Sequence, residues 1–192
     1  MNWLFYIFDS SLPPPSQMPL ARGYSVNVWR PSRTAIQPDG LPLYPFGVWW
    51  LFHIARVFKN PNYCIVVIHH GGALVHRSCV FPGYFRFPFM AKDDLQVGDT
   101  WTHPDHRGNG LAKAGLRACL ALGGNDPRRY WYVVEESNTP SIRVVENAGF
   151  RVIGNGRRSS PMGLRLFGRF QIDRTSLPNF SKPVVQSDSI AR

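Results

Sequence analysis

The run Asp99–Ala112, DTWTHPDHRGNGLA, carries the residues of this chain best suited to chemistry. A strand-like stretch leads into Arg107-Gly108-Asn109-Gly110 and then into a helix-forming segment. Gly108 and Gly110 permit backbone conformations that other residues avoid, and they let a ligand approach closely. The first N–H groups of a helix have no partner inside it, and the helix dipole places positive charge behind them. Such a turn suits a pyrophosphate. A second run follows, Asn138–Phe150, NTPSIRVVENAGF. Asn138 is placed to cap a helix starting at Thr139-Pro140, and Gly149 to end it.

Together the two runs carry a resemblance. Arg107-x-x-Gly110-x-Ala112 resembles the pyrophosphate signature of the GNAT superfamily of acyl-CoA-dependent N-acyltransferases. Asn138-x-x-Ser141, closing at Ala148-Gly149-Phe150, is similar to the fourth-helix motif of the same superfamily. The likeness runs from Leu95 to Gln171, and residues 1–60 fit by architecture alone. It implies an α/β fold: a mixed, mostly antiparallel central sheet with helices on both faces and a splayed strand pair for acyl-CoA. It implies acetyl-CoA as co-substrate. The backbone of Trp101, Thr102 and His103 would hold pantetheine and thioester. Arg107, Gly108, Asn109, Gly110, Leu111 and Ala112 would hold pyrophosphate, and Asn138 with Ser141 would meet the cofactor near the pantetheine.

The chain departs from the family pattern at two places. Val145 stands where many relatives carry a tyrosine that protonates the leaving thiolate. The strand before the loop carries Gln96 and Asp99 where many relatives carry a glutamate base. Asp99 is the first candidate to take the amine proton; the competing reading, a solvated strand-end acid or a partner for an arginine, stands slightly ahead of it. Glu135, at the end of the adjoining strand, is the second, and it could instead help cap the helix that follows. His76 lies in an apolar strand and reads as a core histidine. His103 and His106 flank the loop, as phosphate contacts or as surface residues. The six histidines lack cysteine or carboxylate partners at ligand spacing, so no metal is expected.

Composition adds bounds. A chain of 192 residues reads as one domain: an N-terminal arm over residues 1–22, an acyltransferase domain over 23–173 and a polar tail over 174–192. Cys64, Cys79 and Cys119 sit in apolar stretches without metal spacing, as buried thiols of a reducing compartment, hence the cytoplasm. Met1–Phe8 is apolar but too short to cross a bilayer. The net charge is +10. Its arginines are scattered, and CoA is itself an anion, so they read as a solvated surface rather than a nucleic-acid face.

The pattern places strands at 24–28, 63–68, 73–81 and 95–103, with a further one at 84–89 where Phe85, Phe87 and Phe89 alternate. Another follows at 130–134, and a closing pair at 150–153 and 164–172. Helices are expected at 46–58, from Ala112 to Gly123, and from Thr139 to Gly149. Trp49, Trp50, Phe52, Tyr84, Phe85 and Phe87 form either an acceptor cleft or core.

The resulting expectation is an N-acetyltransferase acting on a primary amine of a small molecule, an amino sugar among the candidates, with no membrane partner and with a homodimer allowed. The rivals are a protein or peptide N-acyltransferase, and a noncatalytic acyl-CoA- or nucleic-acid-binding module on the same fold. A closed aromatic pocket beneath residues 46–58 would favour a small acceptor, and an open groove across the splayed strands a peptide.

Overall fold

The computed structural model describes residues 2–9, 19–123, 128–159 and 168–173. Among the described residues eight strands form one sheet: β1 (Asn2–Asp9), β2 (Tyr24–Trp29), β3 (Cys64–His70), β4 (Ala73–Pro82), β5 (Leu95–Thr102), β6 (Arg129–Glu135), β7 (Arg151–Ser159) and β8 (Arg169–Ile172). Their order is β2-β3-β4-β5-β6-β1-β7-β8. Every neighbouring pair is antiparallel except β5 and β6, which run parallel. The helices are α1 (Leu43–Ile54), α2 (Leu111–Ala121) and α3 (Thr139–Asn147).

The sheet separates two cores. Phe5, Ile65, Cys79, Phe81 and Trp131 point to the face that carries Phe46 of α1. Tyr6, Val66, Val80, Val97, Tyr132 and Val134 point to the opposite face, against Leu116 and Cys119 of α2 and Val145 of α3. Strand alternation produces this division, since successive side chains leave opposite sides of the backbone. The three cysteines are buried and unpaired.

Several expectations need correcting. Residues 2–9, assigned to the arm, form β1 in the interior of the sheet, paired with β6 on one side and β7 on the other. Phe5, Tyr6, Ile7 and Phe8 are all buried, the pattern of a strand covered on both faces. Residues 84–89 are turns, not a strand. Phe87 N–H donates to the Tyr84 carbonyl and Met90 N–H to that of Phe87. Pro88 has no N–H for a ladder, and the phenylalanines serve the core, with Phe87 stacked on Phe170 at 5.3 Å. Helix α1 begins and ends earlier than expected, at Leu43–Ile54. Residue 1 and residues 10–18 of the arm, residues 164–167 of the closing strand, and the tail from 174 lie outside the described residues.

Candidate active site

Strands β5 and β6 are joined at one end and part at the other. Leu95, Gln96 and Val97 pair with Tyr130, Trp131 and Tyr132, and no rung follows. The buried Asp94 fastens the joined end. It accepts from Trp131 Nε1 at 2.8 Å and Ala91 N–H at 2.9 Å, and pairs with Arg129 Nε at 3.1 Å. At the other end a bulge interrupts β5. Arg77 faces Trp101 and Cys79 faces Gly98, so Ser78 alone is opposed by Asp99 and Thr100. Asp99 takes up the extra residue with φ of +46°. Beyond Val97, β5 has no neighbour on its β6 side, leaving backbone groups free to hold an extended ligand.

The bulge puts Gly98 and Asp99 on one face, and alternation resumes beyond it. Asp99 lies on the α1 side. Its Oδ2 is 3.0 Å from Arg77 Nε and 3.8 Å from Cys79 Sγ. The Arg77 guanidinium lies 5.3 Å from the Phe46 ring and 5.4 Å from the Trp101 ring. Asp99 is thus paired with an arginine, and its carboxylate still has lone pairs uncommitted. Glu135 ends β6 and follows Trp131 and Val133, which face the α1 side; alternation puts Glu135 on that face too, on the other arm of the opening.

The opposite face carries a buried polar chain. His76 is fully buried; its Nδ1 is 2.8 Å from Thr102 Oγ1 and its Nε2 3.0 Å from Ser78 Oγ. Ser78 Oγ is 3.3 Å from Thr100 Oγ1. Burial, aided by the positive charge of Arg77, lowers the His76 pKa to about 4, so the ring is neutral at pH 7. His76 is therefore a core histidine with both ring nitrogens partnered.

From Thr102 the chain enters the loop. Arg107 Nε donates to the Thr102 carbonyl at 3.3 Å and Asn109 Nδ2 to that of His106 at 3.2 Å. His103 accepts from Asp105 N–H, and His106 Nδ1 lies 2.9 Å from the Tyr24 hydroxyl. Gly108 and Gly110 have φ of +82° and +74°. Gly110 is the N-cap of α2 and supplies no side-chain bond, so the first N–H groups of α2 face outward unclaimed by a cap. A Cβ at Gly108 would meet nothing within 4 Å. An open cradle of N–H donors suits an anion. The Leu111 side chain is buried with Ile68 and Val75, so only its backbone is turned to the loop.

At α3, Asn138 Oδ1 accepts from Ser141 N–H at 3.2 Å. Its structural role is that of a helix cap. Trp49, Phe52, Tyr84, Phe85 and Phe87 pack in or against the α1-side core, and Trp50 Nε1 donates to the Ser32 carbonyl; the aromatic cluster is mainly core. A cavity of about 690 Å³ opens instead at the N-terminal end of α1, lined by Trp29, Thr34, Gln37, Asp39 and Leu43 among others. Among the described residues, no group of three or more His, Cys, Asp or Glu side chains converges as a metal site. No helix there is long and apolar enough to cross a membrane.

Residues 27–150 match the profile of the Acetyltransferase (GNAT) family. The chain belongs to that family. The solved structures it resembles include a tandem GNAT protein from the clavulanic acid biosynthesis pathway, with 19% identity, a TM-score of 0.55, and coverage of 79% of this chain and 50% of that one. A GCN5-related N-acetyltransferase from Sphaerobacter thermophilus has 18% identity and a TM-score of 0.52, covering 80% and 49%. One from Kribbella flavida has 14% identity and a TM-score of 0.50, covering 79% and 55%. The GNAT chain described here thus spans about half the length of these proteins, and at such identities the likeness establishes the fold. No curated protein matches it.

Two residues of the site escaped the sequence reading. Arg77 binds Asp99, and Tyr132 stands where β5 and β6 part. The alternation of Tyr130, Tyr132 and Val134 was the available signal for the face Tyr132 takes.

Proposed function

We propose that this chain transfers an acetyl group from acetyl-CoA to a primary amine of a small molecule. The observation that carries the reading is the opening between β5 and β6 beside the bare start of α2. Pyrophosphate would rest on the N–H groups of Gly108–Lys113, and pantetheine would run into the opening toward the bulge. Free backbone groups there would polarise the thioester carbonyl. Attack then comes from the α1 side, where Asp99 takes the amine proton directly or through water.

The test is a panel of amines and amino-terminal peptides with acetyl-CoA, followed by thiol release. Turnover of small amines supports the proposal; turnover of peptides alone replaces it with a protein acceptor; acetyl-CoA binding without any turnover would mark a noncatalytic module. With an active amine in hand, Asp99→Asn should lower turnover by roughly a hundredfold at neutral pH while acetyl-CoA affinity stays. The defect should shrink as pH rises and the amine deprotonates unaided. Full rate across the pH profile would leave Asp99 a structural partner of Arg77.

A further inference from the structure

Helix α1 carries more apolar surface than the sheet covers. Its sequence, LYPFGVWWLFHI, holds no Lys, Arg, Asp or Glu. One side packs inward: Phe46 is buried, and the Trp49 ring lies 4.6 Å from that of Phe81. The other side is open. Leu43 is 66% exposed, Tyr44 70%, Leu51 53% and Ile54 42%. Gly47, Leu51 and Ile54 follow i, i+4, i+7 and so share one face of the helix. The Leu43 side chain lies over Gly47, and Ile36 comes close beside it. An exposed apolar stripe of this kind marks a surface that binds something. Its flanks are basic. Arg33 is exposed in the loop that Trp50 grips through the Ser32 carbonyl, and Arg56 is exposed just past the helix end. Between Asp9 and Asp93 the chain holds eight Lys and Arg against a single acid, Asp39.

We infer that α1 docks this protein on an anionic membrane surface. The helix lies in the headgroup layer, with Leu43, Tyr44, Leu51 and Ile54 toward the acyl chains and Arg33 and Arg56 on lipid phosphates. Charge complementarity selects this occupant. A second copy on the same stripe would bring basic flanks against basic flanks, with Asp39 alone to answer them. An anionic bilayer answers the charge and the apolar stripe together, and the amphipathic ring of Tyr44 suits the boundary between them. The expectation of no membrane partner rests on the shortness of the apolar run Met1–Phe8; a helix lying on the surface needs no span. Helix α2 and its glycine loop lie on the other face of the sheet. Docking therefore leaves the loop clear, and the inference stands apart from the acetyl-transfer reading.

Co-sedimentation of the full chain with vesicles tests it, using phosphatidylcholine alone and phosphatidylcholine mixed with phosphatidylglycerol. The natural chain should bind the mixed vesicles, and added salt should weaken that binding. Leu51→Ser with Ile54→Ser keeps the net charge and should weaken it by roughly tenfold or more. Leu43→Ser with Tyr44→Ser, at the far end of the stripe, should do the same, so the result does not hinge on one variant's folding; circular dichroism melts check both. Arg33→Gln with Arg56→Gln should lower binding by roughly tenfold on the mixed vesicles only. Failure of the natural chain to bind mixed vesicles overturns the inference. Undiminished binding by both serine variants, once folded, does so too, because charge elsewhere in the chain would then carry it. A dimer in light scattering that the serine variants dissociate would give the stripe to a second copy and overturn it as well. Each of these outcomes leaves the acetyl-transfer reading untouched.

Discussion

Helices α2 and α3 begin close to the same opening and are held in contrasting ways. At α3 the Asn138 side chain accepts from Ser141 N–H, so the helix closes its own end. At α2 the cap is Gly110, which has nothing to offer its N–H groups. That helix is fixed from the side. Leu111 and Ala114 pack on Ile68 and Val75, and Gly115 lies against His76 so closely that a Cβ there would fall 2.2 Å from Nε2. A helix that keeps its first donors for a ligand anion must be seated by packing, whereas one capped by its own side chain need not be.

The largest effect should come from ending the difference. Gly110→Asp places a carboxylate beside the free N–H groups, giving the pyrophosphate a repelling charge, and it strains the left-handed backbone there. Acetyl-CoA affinity should fall at least about a hundredfold, while circular dichroism shows the fold retained. Equal affinity in calorimetry would break the comparison.

Acid should act on the seat of α2. His76 has a folded pKa of about 4, below its ordinary 6.5. The unfolded chain therefore binds the extra proton first, and stability falls as pH drops from about 6.5 toward 4. The difference corresponds to about 3 kcal/mol at the lower end. Denaturant melts at several pH values should show this loss, with a flatter profile for His76→Asn. Matching profiles would mean that His76 does not govern the acid response.

Gly115→Ala attacks the same seat by size. The added methyl would push on the buried ring and cost about 2 kcal/mol, read from the denaturant midpoint. An unchanged midpoint would show that the His76 ring yields easily. The smallest effect belongs to α3: Asn138→Ala removes one cap bond and should cost about 1 kcal/mol. A larger fall in acetyl-CoA affinity than in stability would give Asn138 a cofactor contact beyond its cap.

The backbone geometry of the candidate site was legible in the sequence. Glycines at 108 and 110, and Asn138 with Gly149, announce helix ends through local rules, and they lie where expected. What rests on pairing was not legible. Nothing in Asn2–Asp9 says that the strand enters between β6 and β7, because its partners are far along the chain. The alternating phenylalanines at 85–89 mimic a strand while serving a turn-rich core. Asp99 could be named, yet its arginine was fixed only by the register of β4 on β5. Tyr132 reads as one more apolar strand residue until the pairing shows it as the last rung of β6 on β5.

The central claim is that the uncapped start of α2 is the anion site. Backbone amide NMR during a CoA titration tests it most directly. Gly108–Lys113 should show the largest shifts, the first turn of α3 smaller ones, and pantetheine without its pyrophosphate should leave the α2 amides in place. CoA binding that leaves Gly108–Lys113 unmoved would contradict the account.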